Sequence, residues 1–184
     1  MTKGISSGNA LFELKVTLLD TDPPVWRRLR VPGSYHLGKL HRVVQVVMPW
    51  EESHLHQWEV GRRRFGKPDR ELGLLDETRV TLEGVARKGS KVVYSYDFGD
   101  DWRHEVVVED VVASVGPAKV WCLEGERACP PEDCGGPGGY ANLLEALADP
   151  NHEAHDEMRE WAGPDLDPAR FDLQAAIARL RRMR

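Results

Sequence analysis

Cysteine is scarce in this chain: there are three, at positions 122, 129 and 134. An odd and small number does not make a disulfide framework, so reduced thiols and a cytoplasmic location are expected. Long apolar runs are also missing. None approaches the roughly 20 residues needed to span a bilayer, and the first residues carry no basic-then-apolar pattern. No membrane association is expected. Positive charge is short as well, with 25 Lys and Arg against 30 Asp and Glu, a net of −5. That disfavours non-specific nucleic-acid binding by the whole surface, which needs a cationic face. Local basic clusters at Arg27-Arg28-Leu29-Arg30, Arg62-Arg63-Arg64 and Arg179 to Arg184 read as solvated faces or helix ends. There is no internal repeat.

What is present is a soluble-protein composition, 41% hydrophobic and 30% charged over 184 residues, which fits one domain. Residues 1–9 are small and polar and read as a frayed end. Phe12, Leu14, Val16 and Leu18 then alternate with polar residues, the period of a half-buried strand. Asp20 to Pro24 breaks it, and Val25 to Val31 resumes as a partner strand. Ser34 is a suitable cap for a helix carrying Leu37, Leu40, Val43, Val44 and Val47, ended by Pro49. A strand is expected over His54–Val60, with His54, His56 and Trp58 on one face. Residues 61–76 read as a loop, and a short helix or turn follows near Val80 to Val85.

The densest stretch is Tyr94 to His104. A strand runs in over Lys91–Tyr96 and another out over His104–Val112. Gly99 and three aspartates between them favour a tight turn. Pro117 to Gly139, with its cysteines, prolines and glycines, reads as a rigid loop. Three apolar stripes beyond Tyr140 read as helices, the last ending in arginines that suit a helix C-terminus.

The expected fold is α+β: a β-grasp-like mixed sheet with a covering helix and a C-terminal helical segment. The expected division is a β-rich part over 9–114, the loop over 115–139 and helices over 140–184. Several unusual pieces stand together in order: Val25-Trp26-Arg27-Arg28, Leu40-His41, His54-Leu55-His56, Tyr96 to His104, Cys129-Pro130-Pro131-Glu132-Asp133 and Gly139-Tyr140. With them the chain resembles the Ri-plasmid ORF-three-like family, small proteins encoded on plasmids, insertion elements and bacterial chromosomes. The resemblance implies an α+β fold. It implies no catalytic residues, and only a mobile-element context labelled as transposition accessory.

Four readings of the polar motifs stand side by side. A metal site can be drawn from His54, His56, His104, Cys129 and Cys134, with the acids Glu132 and Asp133 of the same loop, since imidazole with thiolate suits zinc or another divalent metal. Asp97, Asp100 and Asp101 with His104 can be read as a catalytic cluster, or simply as turn chemistry. Cys129 or Cys134 can be read as a nucleophile activated at a helix N-terminus. A binding module needs the fewest assumptions, with Trp26, Trp50, Trp58, Trp102, Trp121, Tyr94 and Tyr96 along a groove. Its surface is expected at Tyr96, Asp97, Asp100, Asp101, Trp102, His104, Glu132 and Asp133. The hairpin is expected to pack beside the Cys129–Gly139 loop. The leading function is therefore an accessory protein with a protein or nucleic-acid partner; the alternative is a metal-dependent hydrolase.

Overall fold

A computed structural model describes residues 10–183. The end expected to fray, residues 1–9, and Arg184 lie outside the described residues. The chain forms β1 (Ala10–Leu18), β2 (Trp26–Pro32), α1 (Leu37–Val47), β3 (His56–Val60), β4 (Arg63–Gly66) and β5 (Leu75–Asp76). A 3-10 turn (Glu77–Arg79) and α2 (Leu82–Val85) lead to β6 (Lys91–Tyr96), β7 (Trp102–Ala113) and β8 (Trp121–Glu126). The last elements are α3 (Gly136–Ala148), α4 (His155–Ala162) and α5 (Leu173–Arg182).

The strands make one eight-stranded sheet, ordered β5-β4-β3-β6-β7-β1-β2-β8. All neighbours are antiparallel except β4 and β5, so the architecture is mixed α+β. The alternation in β1 is realised: Phe12, Leu14, Val16 and Leu18 are all buried. The stripe of α1 is buried too, Leu40, Val43, Val44 and Val47 having no exposed surface. One core cluster joins β1, β2, α1 and the central strands to Tyr140 of α3 and Leu180 of α5.

Four expectations need correction. The loop expected over 61–76 contains β4 and β5. Gly61, at φ +60°, lets the chain reverse after Val60, so that Trp58 pairs with Phe65 and both are buried. The three arginines preceding Phe65 hid a strand whose inward face needs only one aromatic. The rigid loop expected over 117–139 contains β8, which pairs with β2 through Arg28 and Glu124. Its alternating polar face resembles a loop in composition. The strand expected over His54–Val60 begins at His56, so His54 and His56 do not share a strand face. The cap of α1 is His36, whose side chain accepts from the Lys39 N–H, rather than Ser34.

Arg27 ties several pieces together. It is 1% exposed. Its Nε donates to Val47 O at 3.1 Å, and its Nη1 donates to Trp26 O at 2.8 Å and Glu126 O at 2.9 Å. Its guanidinium lies 4.0 Å from the centre of the Phe171 ring. One side chain thus joins β2, the end of α1, the end of β8 and the segment before α5. A planar five-donor fork suits that task.

Candidate metal centre at the hairpin–loop junction

The β6–β7 hairpin tip lies against the Cys-Pro-Pro loop. Asp100 Oδ2 accepts from Gly135 N at 3.1 Å, and a Cβ placed on Gly136 would stand 2.5 Å from Asp100 O. Trp50, just beyond α1, donates from Nε1 to Pro130 O at 3.1 Å. Three separate segments therefore meet: Trp50–His54, the tip at 97–101, and the loop at 129–135.

Each acidic side chain there is aimed by its backbone. Asp97 is at φ +55°, a conformation aspartate tolerates better than most residues. Its N–H donates to Leu55 O at 2.9 Å and its carbonyl accepts from Asp101 N at 2.7 Å. Its Oδ1 accepts from Gly99 N at 2.9 Å, leaving Oδ2 to face His54 Nδ1 at 3.7 Å. Asp133, also at positive φ, puts Oδ1 at 3.1 Å from His54 Nε2. Glu132 Oε1 accepts from Glu51 N at 2.8 Å and from the Tyr96 hydroxyl at 2.9 Å. Tyr96 in turn accepts from Ser53 N at 3.2 Å. Burial pushes the Tyr96 hydroxyl up to about 12, so it remains a donor at neutral pH. Glu132 Oε2 is buried without a hydrogen-bond partner, 3.8 Å from His54 Nε2. A buried carboxylate oxygen with no donor is costly.

Three ligand atoms, from His54, Asp97 and Asp133, lie within 4.8 Å of one another. Two donors on one ion, each about 2.1 Å from it, sit at most about 4.2 Å apart, so small side-chain rotations close this set on a cation. Among the described residues no lysine or arginine pairs with Asp97, Glu132 or Asp133. The cluster is thus acid-rich, with one imidazole, and imidazole with carboxylate suits manganese, iron or zinc.

The other residues drawn into the metal set go elsewhere. His56 Nε2 pairs with Glu77 Oε2 at 2.9 Å, and its ring stacks on His41 at 3.5 Å and 3°. His104 has no exposed surface, and its Nδ1 is 3.3 Å from Tyr94 O. Burial drives its pKa down to about 4. Burial also pushes the Cys134 thiol up to about 12 and the Cys129 thiol higher still. Neither is poised as a thiolate nucleophile, because a nearly dry thiol is expensive to ionise. The acids Asp97, Asp100 and Asp101 do not gather on His104: Asp100 caps the loop, Asp101 is exposed, and the imidazole lies inside the sheet.

Of the expected surface residues, Asp97, Glu132 and Asp133 converge on His54, and Tyr96 reaches them only with its hydroxyl. Trp102 and His104 are core residues, since even positions of β7 face inward. The aromatic groove is not formed either: Trp50, Trp58, Trp102, Tyr94 and Tyr96 pack inside, while Trp26 on β2 and Trp121 on β8 keep exposed surface. Separations of 43 and 79 residues carry no periodic link from His54 to Asp97 or Asp133; ligand type alone groups His54 with the acids of the loop, and that set omits Asp97.

A family model, the plasmid pRiA4b ORF-3-like protein, matches residues 10–175. The chain belongs to that family. It is 44% identical over 165 residues to a Sinorhizobium fredii (strain NBRC 101917 / NGR234) protein described as uncharacterized protein y4hQ, covering 87% of this chain and 85% of that one. It is also similar to the crystal structure of a protein of unknown function, MM3350, from Methanosarcina mazei Go1, at TM-score 0.84 and 34% identity. That likeness covers 91% of this chain and 97% of the other. For this member of the pRiA4b ORF-3-like family, the matched span contains every residue of the junction described above.

Proposed function

We propose that this protein binds a divalent cation through His54, Asp97 and Asp133, and that the bound ion supports hydrolysis with Glu132 as the base. The observation that carries the reading is Glu132. One oxygen is held by Tyr96 and the Glu51 N–H, while the other is buried, unpartnered and faces the same imidazole. A cation there offsets three carboxylates that no lysine or arginine neutralises. Such an ion would lower the pKa of a bound water, and Glu132 Oε2 would be the residue to take its proton. Zinc and manganese both suit the donor set.

The test is calorimetric titration of untagged, chelator-free protein with Zn²⁺ and Mn²⁺, beside Asp97→Asn and His54→Gln. Near-stoichiometric binding that weakens at least about tenfold in each variant is expected. Absence of binding in the parent chain, or equal binding by the variants, refutes the metal reading. Metal-stimulated hydrolysis of a chromogenic ester or phosphodiester, lost in Glu132→Gln, tests the second half.

A second reading keeps an accessory role with a nucleic-acid partner. It is favoured by Arg42, Arg179 and Arg182, which line one cavity of about 500 Å³ in which, among the described residues, the one acid is Glu52, 3.8 Å from Arg42. Binding there would fall steeply with salt through loss of counterion release. A salt-independent or absent interaction with duplex DNA refutes it.

A further inference from the structure

Next to the junction, a groove of about 860 Å³ runs between α3 and α4. Its apolar lining includes Leu143, Ala146, Met158 and Trp161. Leu143 and Ala146 are buried, whereas the Trp161 ring is 50% exposed. No residue of α4 is buried, so this helix presents an amphipathic surface that the fold itself leaves uncovered. The acids along the groove are Asp133, Glu145, Glu157 and Glu160, and among the described residues no lysine or arginine lines it. Among the described residues none of these four pairs with a lysine or arginine. His152 also lines the groove, but its Nδ1 accepts from Ala154 N at 3.1 Å and so is turned back to its own chain.

We propose that this groove holds a basic, apolar polypeptide segment and delivers one end of it to the junction through Asp133. Charge and shape select the occupant. An apolar floor under a carboxylate rim favours alternating aliphatic and Lys or Arg side chains, whose stems cover apolar surface while their charges reach the rim. The same rim repels phosphates, so a nucleic-acid strand is disfavoured here. The groove follows α3, whose 13 residues span about 20 Å at 1.5 Å per residue, room for several residues of extended chain. Asp133 is common to the groove and the junction. The delivery step rests on the metal reading above; the groove's occupancy does not.

The experiment uses the full chain stripped of metal. A fluorescein-labelled dodecapeptide of alternating Lys and Leu is titrated by fluorescence anisotropy, beside its Glu-for-Lys counterpart and a labelled oligothymidylate. Glu157 and Glu160 are exposed, so reversing them tests charge without disturbing the core. The basic peptide is expected to bind, and to lose at least about tenfold in affinity in the Glu157→Lys, Glu160→Lys double variant. Trp161→Ala is expected to weaken it several-fold. Arg159→Glu, on α4 but not lining the groove, is expected to leave it within about twofold. The proposal is overturned if the basic peptide fails to bind, if the double reversal leaves binding unchanged, or if the acidic peptide or oligothymidylate binds as tightly. Because metal is absent throughout, peptide binding without metal binding overturns the junction reading alone, and metal binding without peptide binding overturns the groove alone.

Discussion

Gly136→Ala is the sharpest probe of how the junction is held. Gly136 lies at φ +68°, and an added Cβ would stand 2.5 Å from Asp100 O, well inside ordinary contact. The left-handed conformation costs an alanine about 1–2 kcal/mol. Relieving the clash requires backbone to move against backbone, and forced overpacking of that kind costs about 1–3 kcal/mol. Together the loss is about 2–5 kcal/mol, or roughly 4–20 °C in Tm for a chain of this size. The movement has a direction. Asp100 and Gly135 are joined by a hydrogen bond, so pushing the loop from the tip separates Asp133 from Asp97. Divalent-metal affinity should therefore fall at least about tenfold, in line with supporting contacts at other metal sites. Gly138→Ala supplies the contrast. Nothing lies within 4 Å of its added Cβ, and it sits inside α3, where alanine is the better helix former. It should be neutral or stabilising by up to about 1 kcal/mol. Differential scanning calorimetry and metal titration of both variants decide the matter. Equal Tm and equal metal affinity for Gly136→Ala and the parent chain would refute the argument.

Two further outcomes follow from buried groups. Burial holds His41 near 3 and His104 near 4, whereas both titrate near 6.5 in the unfolded chain. The unfolded state thus binds more protons, and the stability these groups contribute is complete above about 6.5 and lost as pH falls toward 4 and 3. At pH 5 the loss is about 2 kcal/mol for each, visible as a falling urea midpoint between pH 7 and 5; a flat midpoint contradicts it. Arg27→Met should cost about 3 kcal/mol by leaving the Val47, Trp26 and Glu126 carbonyls without their buried donor, and Arg27→Lys should not restore it. A urea midpoint within error of the parent for Arg27→Met would show that water replaces the fork.

Much of the scaffold was legible in local patterns, and the places where it was not share one cause. Period-two alternation placed β1, and helical spacing placed α1 and α5, because burial on one face imposes a period that sequence preserves. The β6–β7 hairpin was legible from its turn residues. In β4, Arg63 and Arg64 are exposed and only Phe65 and Gly66 turn inward, and β8 spends alternate residues on polar positions, Glu124 pairing with Arg28. A strand with so short an apolar face has nothing to distinguish it from a loop until its partner is known.

By itself the sequence determined the α+β character, the family and the two motifs that carry the polar chemistry. It named Asp97, Glu132, Asp133 and His54, but put Asp97 and His54 in different sets. Only the tertiary structure decided which of them meet. His54 falls just outside β3, so it escapes the strand alternation that turns His56 toward Glu77 and is free to face Asp97 and Asp133. Burial decided the fate of the rest. His104 and Cys129 look like ligands as residue types, but removal from water holds the imidazole neutral and the thiol protonated. A ligand is made by the position of a donor atom and its access to an ion, and both are properties of packing rather than of residue order.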